Sequence, residues 1–321
     1  LSFLRVPEEV WGGMREYLLI IFAGLLATSL YNFFSCLLRA LGNSTVPLVF
    51  LAVSAILNIA WDLLFVAVFH WGIAGAAYAT IFAQYVSGIG ILLYVLFRCR
   101  SLFPERKDLC FDGGILKEIA GLSSLTCLQQ SVMNFGILMV QGLVNSFGAT
   151  TMAAFAAAVK IDTFAYLPVQ DFGNAYSTFI AQNYGAGNKE RIRRGTKESF
   201  AISTAFSLVI SALVFAFAAP LMQIFVSSAE TAVIASGVRY LRIEGAFYFG
   251  IGCLFLLYGY YRAIKRAEMS VVLTVISLGI RVLLAYVLSA TFLGETGIWM
   301  AIPIGWILAD LTGLLYMRKT W

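Results

Sequence analysis

Four polar side chains fall in stretches otherwise too apolar to hold them. Asp62 lies in Leu57-Asn58-Ile59-Ala60-Trp61-Asp62, with Asn58 one turn earlier on the same helical face. It stands about nine residues, or ~13 Å of helix, from the turn at His70-Trp71. Thr80 is nine to ten residues beyond that turn, at nearly the same depth. Asn32 lies about as far from the turn at Ser44 as Asn58 does. Asn32, Asn58, Asp62 and Thr80 therefore share one level near the middle of a bilayer. A lone carboxylate there costs several kcal/mol, or it takes up a proton. A group whose protonation follows its surroundings is what proton coupling requires. The same carboxylate, amide and hydroxyl oxygens would equally suit a dehydrated sodium ion. The alternative is a neutral, hydrogen-bonded strut between helices.

A second polar set lies further along. Gln129-Gln130, Asn134, Gln141 and Asn145 recur mostly at three-, four- and seven-residue spacing, and Lys160, Asp162, Gln170 and Asp171 follow. Gln130, Asn134, Gln141 and Lys160 are the candidates for lining a substrate cavity; hydrogen bonding to neighbouring helices is the alternative. Lys160 and Asp162 are two apart, so they do not face one another. Glu244 and Arg242 lie near the outer end of a later span, and Arg281 and Asp310 share a depth that would let them pair. Five cysteines without C-x-x-C spacing and the single His70 indicate neither a disulfide frame nor a metal cluster. No nucleotide-binding or nucleophile motif is present, so neither ATP hydrolysis nor covalent catalysis has a candidate, and no cofactor is implied.

The elements carrying these residues follow from composition. Of 321 residues, 60% are hydrophobic and 12% charged, half the usual charged share of a soluble domain, and the mean hydropathy is +0.86. This is an all-α membrane protein, a polytopic helical bundle, because backbone in lipid must satisfy its own hydrogen bonds. Nine spans read at roughly 17–32 (continuing to about Leu41), 46–68, 72–97, 119–147, 150–183, 198–225, 240–261, 270–292 and 297–317. The span 150–183 is too long for one untilted crossing, and Leu167-Pro168 predicts a break in it. Sixteen of the 22 Lys and Arg residues fall in one set of loops and three in the other, which places the C-terminus in the cytoplasm. Trp11, Trp71 and Trp299 then belong to the outer interface. The basic residues form no continuous stripe, so the charge of +5 does not point to nucleic acid.

An internal repeat organises the spans. Tyr17-Leu18-Leu19-Ile20 recurs as Tyr240-Leu241-Arg242-Ile243, and at the same offset Arg39-Ala40 meets Arg262-Ala263, Val49 meets Val272 and Ser54 meets Ser277. Both copies start outside, so the repeat is parallel, about an axis along the membrane normal. The second copy is preceded by three spans that the first lacks, and the chain begins with Leu. The expected whole is a twelve-helix, two-lobe (6+6) transporter, truncated at its N-terminus by about 110 residues. Residues 1–103 are then the remainder of the N-terminal lobe (helices 4–6 and the tail of helix 3). Residues 104–116 are a cytoplasmic inter-lobe loop, and residues 117–321 the C-terminal lobe (helices 7–12).

Several strings carry a resemblance. Phe179-Ile180-Ala181-Gln182-Asn183-Tyr184-Gly185-Ala186-Gly187-Asn188, followed by Arg191, resembles the loop after the eighth helix of the multidrug and toxic compound extrusion (MATE) family. Leu38-Arg39-Ala40-Leu41-Gly42-Asn43-Ser44 resembles its motif after the fourth helix. Leu57-Asn58 through Asp62 and Gly75-Ala76-Ala77 through Thr80 resemble its fifth and sixth helices. The resemblance implies a bacterial inner-membrane antiporter, not an enzyme, that acts as a monomer among membrane lipids. It would expel small organic cations in exchange for protons or sodium by alternating access. It makes Asn58, Asp62 and Thr80 part of a cation site completed by a first-helix Asp that would precede Leu1. The family's second-half acidic positions fall near Ser131 and Ile251, which are not acidic. A lipid-linked precursor flippase of the same superfamily is the rival within transport, and a membrane-embedded enzyme the rival outside it.

Overall fold

The computed structural model describes residues 8–100 and 110–320, with the side chains of 8–10 and 320 left aside. The lobe boundary at 103/104 and the basic residues Arg5, Arg106 and Lys107 lie outside the described residues. In chain order the helices are α1 (Glu8–Ala23), α2 (Leu25–Ala40), α3 (Thr45–Asp62) with a π-helical continuation (Leu63–Val68), α4 (Gly72–Arg98), α5 (Gly113–Asn145), α6 (Ala149–Gly185), α7 (Lys189–Gln223), α8 (Thr231–Gly245), α9 (Tyr248–Ala263), α10 (Ala267–Ser289) and α11 (Glu295–Thr320). Seven are long and apolar enough to cross a bilayer. Two bent pairs, α1–α2 (40°) and α8–α9 (51°), raise this to as many as nine if each pair is one span. Among the described residues there is no strand.

The chain forms two compact units, Leu1–Phe111 and Asp112–Trp321. In the first, α1, α2 and α3 each pack on α4. Close packing comes from missing side chains, as expected where lipid tails are as apolar as the core. A Cβ on Gly88 of α4 would stand 2.6 Å from the Ala27 carbonyl oxygen of α2. Large residues point outward instead: Leu26, Phe33, Ile56 and Ile59 are exposed, as hydrocarbon-facing side chains are. In the second unit α9 is the hub, buried on every side from Leu254 to Tyr261 and packed on α6, α7, α10 and α11.

The two bends fall at equivalent points of the repeat. Gly24, the break in the first span, maps at the repeat offset onto Phe247, the N-cap of α9. The turns after α2 and α9 correspond as well. Gly42 (φ +85) and Lys265 (φ +61) each take a left-handed conformation, and the next residue's N–H closes onto the carbonyl five back (Asn43 to Leu38, Arg266 to Tyr261). Lys265 holds that disfavoured conformation with its ammonium 2.5 Å from Glu118 of α5, whose hydrogen bond and charge raise the Lys265 pKa.

Two expectations fail. α6 stays one continuous helix through Pro168, held along its length by Val169, Gly173 and Tyr176 buried in the unit. The non-helical residue falls instead at Phe217 of α7 (φ −103°, ψ 16°), beside Ala216, whose carbonyl the ring of Pro220 crowds. The Trp299 ring does not face an interface: it is fully buried, stacked 5.5 Å from Phe155 and edge-on to Tyr240 at 4.9 Å. Trp11 and Trp71 are exposed. Because a backbone carbonyl, not a flexible side chain, opposes Gly88, Gly88→Ala should lower stability by ~1–3 kcal/mol, read as a lower unfolding midpoint in detergent.

Candidate functional site

In the first unit, one hydrogen bond sets the register of α3 against α4: Ser54 Oγ donates to the Ala83 carbonyl at 2.9 Å. Counting from it along antiparallel helices, Asn58 comes level with Ala79-Thr80 and Asp62 with Gly75-Ala76. Asn58 Nδ2 and Asp62 Oδ1 are both shielded and have no hydrogen-bond partner in the protein. Thr80 is half-buried and donates to the Ala76 carbonyl at 3.0 Å, which leaves its oxygen free to accept. Asn32 is not brought to this group: it is exposed on α2, off the face formed by Phe34, Ser35 and Leu38. The helix changes character just after the carboxylate. From Leu63 the chain is π-helical, with the Phe69 N–H bonding to the Leu64 carbonyl at 2.9 Å. Such wide turns are rare, and they recur at functional sites. Trp61 and Phe65 meet Phe82 of α4 at 5.8 and 6.0 Å and close the flank.

A third orphaned atom marks the first bend. Gln84 Oε1 is buried without a partner and would lie 2.4 Å from a Cβ on Gly24, while Tyr85 Oη donates to the Ala23 carbonyl that the break frees (3.0 Å). A side chain at position 24 would have to push aside the ends of Gln84 and Ile81.

The second-unit candidates scatter. Gln130 and Asn134 are exposed on α5, and the buried amide is Gln129. Gln141 is tied to Asn145 at 2.9 Å. Lys160 is exposed with its ammonium 5.7 Å from the Phe225 ring. Arg281 and Asp310 form no ion pair: Arg281 Nε and Asp310 Oδ1 both lack partners, and Asp310 faces Cys253 of α9.

What the structure assembles instead is a cluster at the second bend. Asp162 of α6 and Glu244 of α8 are 4% and 6% exposed. Tyr248, at the start of α9, donates its hydroxyl to Asp162 Oδ1, and Tyr240 approaches both carboxyl groups. Arg281 of α10 lies within electrostatic reach of both. Above them are Phe155, Trp299 and Tyr240, and beyond these Glu295 ties three helices together. It accepts from Thr151 of α6 (2.8 Å) and from Ser236 (3.1 Å) and Arg239 (3.3 Å) of α8. The signal that would have found this cluster is the repeat itself, since an interrupted helix at matching positions in two halves marks a binding region.

A family model described as MatE matches residues 1–64 and 125–287. The chain belongs to the MatE family. It is 33% identical over 321 residues to the probable multidrug resistance protein YpnP of Bacillus subtilis, covering 99% of this chain and 71% of that protein. It is 27% identical to the probable multidrug resistance protein NorM of Thermotoga maritima, covering 98% and 68%. Its fold is that of the Vibrio cholerae MATE transporter VcmN in the bent form, with a TM-score of 0.90 at 23% identity over 99% of this chain and 72% of that one. The chain is thus a multi-pass membrane protein of a transporter family. In this MatE chain the string ending at Asn188 is the last part of α6 and the turn that follows it. Gly187 is left-handed (φ +69), the Asn188 N–H returns to the Asn183 carbonyl at 2.9 Å, and the Asn188 side chain caps α7 through the Arg191 N–H at 3.0 Å.

The orphaned Asp62 oxygen separates ligand from strut. Because Oδ1 has no protein partner, Asp62→Asn should change the unfolding midpoint by less than ~1 kcal/mol equivalent; a hydrogen-bonded strut would lose about 1–3 kcal/mol.

Proposed function

We propose that this chain belongs to a secondary antiporter of the bacterial inner membrane that exports organic cations in exchange for protons or sodium by alternating access, working as a monomer with its C-terminus in the cytoplasm. The observation that carries this reading is the shielded, unpartnered Asp62 Oδ1 on α3, one turn from Asn58. Asp62 is half-buried, and its shielded Oδ1 is an acceptor that no donor of the protein meets, free to take a cation. A proton on Asp62, or a sodium ion held by Asp62, Asn58 and Thr80, would neutralise it in one state. An organic cation displacing that charge would give exchange. The names of the relatives, probable multidrug resistance proteins of Bacillus subtilis and Thermotoga maritima, support the export of more than one drug.

The test uses vesicles containing the full-length protein, loaded with a fluorescent organic cation under an imposed proton or sodium gradient. Efflux should follow one gradient and fall at least tenfold in Asp62→Asn, and several-fold in Asn58→Ala or Thr80→Ala. Efflux that proceeds unchanged in Asp62→Asn would remove this carboxylate from coupling. A folded parent that moves no cation under either gradient would overturn the antiport reading.

A further inference from the structure

The Asp162–Glu244 cluster uses none of the residues of the Asp62 site and asks a separate question: how two carboxyl groups remain buried together in hydrocarbon. Asp162 Oδ2 and Glu244 Oε2 have no hydrogen-bond partner, although both residues are more than nine-tenths buried. Two neighbouring carboxylates cannot both stay ionised in such a place without compensating charge. The charged and titratable groups that face them are few. From α8 comes Tyr240, from α9 Tyr248 and from α10 Arg281. Lys160, on Asp162's own helix, turns to Phe225, and Arg242 lies over Phe215 of α7. Asp310 of α11 faces Cys253. Among the described residues, α5, α7 and α11 bring no charged group to the pair. Arg281 therefore supplies one positive charge against two carboxyl groups, and a second is required for neutrality.

We propose that Asp162 and Glu244 form a proton-binding site that holds a single exchangeable proton, with Arg281 as a built-in cation that balances the other carboxylate and excludes a metal ion. The guanidinium repels a monovalent metal cation, which also needs several oxygens around it. A proton needs one, and leaves that carboxyl neutral. The free oxygens of Asp162 and Glu244 are the atoms available for it. Tyr248 donates to Asp162 Oδ1, which occupies that oxygen and leaves Oδ2 as the free one. The cluster sits where α8 gives way to α9, between Glu244 and Tyr248, so a change in the 51° bend would alter the spacing of these groups and with it proton affinity.

Infrared difference spectra of the full-length protein in detergent, between alkaline and acidic buffer, read the protonated carboxyl band directly. Electroneutrality sets an unusual pattern. Either Asp162→Asn or Glu244→Gln alone should abolish the whole contribution of the pair, because the remaining carboxylate is then balanced by Arg281. Arg281→Gln should double it, and Arg281→Lys should restore the wild-type amplitude. Sodium added at fixed pH to Asp62→Asn, which removes the first-unit carboxyl from the spectrum, should leave the pair's band unchanged. In that background, a contribution of the pair that survives in either single amide variant, or that Arg281→Gln leaves at its parent amplitude, would overturn the single-proton site. Loss of the pair's band on adding sodium to Asp62→Asn would show a metal-binding site in its place.

Discussion

Hydrocarbon offers no hydrogen bonds, and the organisation of this protein follows from that. Every backbone group must be paired within the fold, so the described chain is helix joined by tight turns. The left-handed turns at Gly42, Gly187 and Lys265 return the last carbonyls of α2, α6 and α9 to N–H groups of the turn itself. Where a helix is interrupted inside the membrane, the freed groups are met locally, as Tyr85 meets the Ala23 carbonyl. The same constraint makes an unpaired buried atom informative. Asn58, Asp62 and Gln84 in the first unit, and Asp162 and Glu244 in the second, each carry such an atom, as do Ser35, the Ser203, Ser207 and Ser211 hydroxyls, Arg281, Trp299 and Asp310.

The two units meet this constraint at equivalent places by different means. The interruption at Gly24 is closed by α4 and brings an amide, Gln84, to the bend. The interruption at Phe247 is flanked by Glu244 and Tyr248 and brings two carboxyl groups and a guanidinium together. A repeat that preserves the bend while changing its chemistry lets one unit present an uncompensated carboxylate on α3 and the other carry its own counter-charge. The Glu295 junction and the Phe155–Tyr240–Trp299 packing hold α6, α8 and α11 around the second cluster, so its geometry is set by the ends of three helices.

Much of this was legible in the sequence because it is local. Span lengths, the Gly42-Asn43 and Gly187-Asn188 turns and the offset joining Tyr17 to Tyr240 depend on short-range patterns. Counting helical turns places Asp62 level with Thr80, whereas the Ser54–Ala83 hydrogen bond sets it one turn away, level with Gly75-Ala76. What the sequence hid is non-local. Asp162 and Glu244 are 82 positions apart and meet only through the packing of α6 on α8. Arg281 matches Asp310 in depth, yet it serves carboxylates on other helices. Trp299 has the composition of an interface residue, but Phe155 and Tyr240 form a slot for it within the unit. Pro168 carries the stronger sequence signal for a break than Pro220, yet packing along α6 suppresses it. Gln130 and Asn134 follow a polar periodicity whose face is exposed, while Gln129, one position away, is the amide that packs inward.

The central claim is that the charge of the cargo replaces the charge of the coupling ion at Asp62. Direct binding tests it: an organic cation is titrated into the detergent-solubilised full-length protein in weakly buffered, sodium-containing solution, while proton release and displacement of radioactive sodium are followed together. Reciprocity between the two ligands requires that binding release one of these ions from the parent, and that the release vanish in Asp62→Asn. Tight cation binding that releases neither ion, or releases the same amount from Asp62→Asn, would contradict the account.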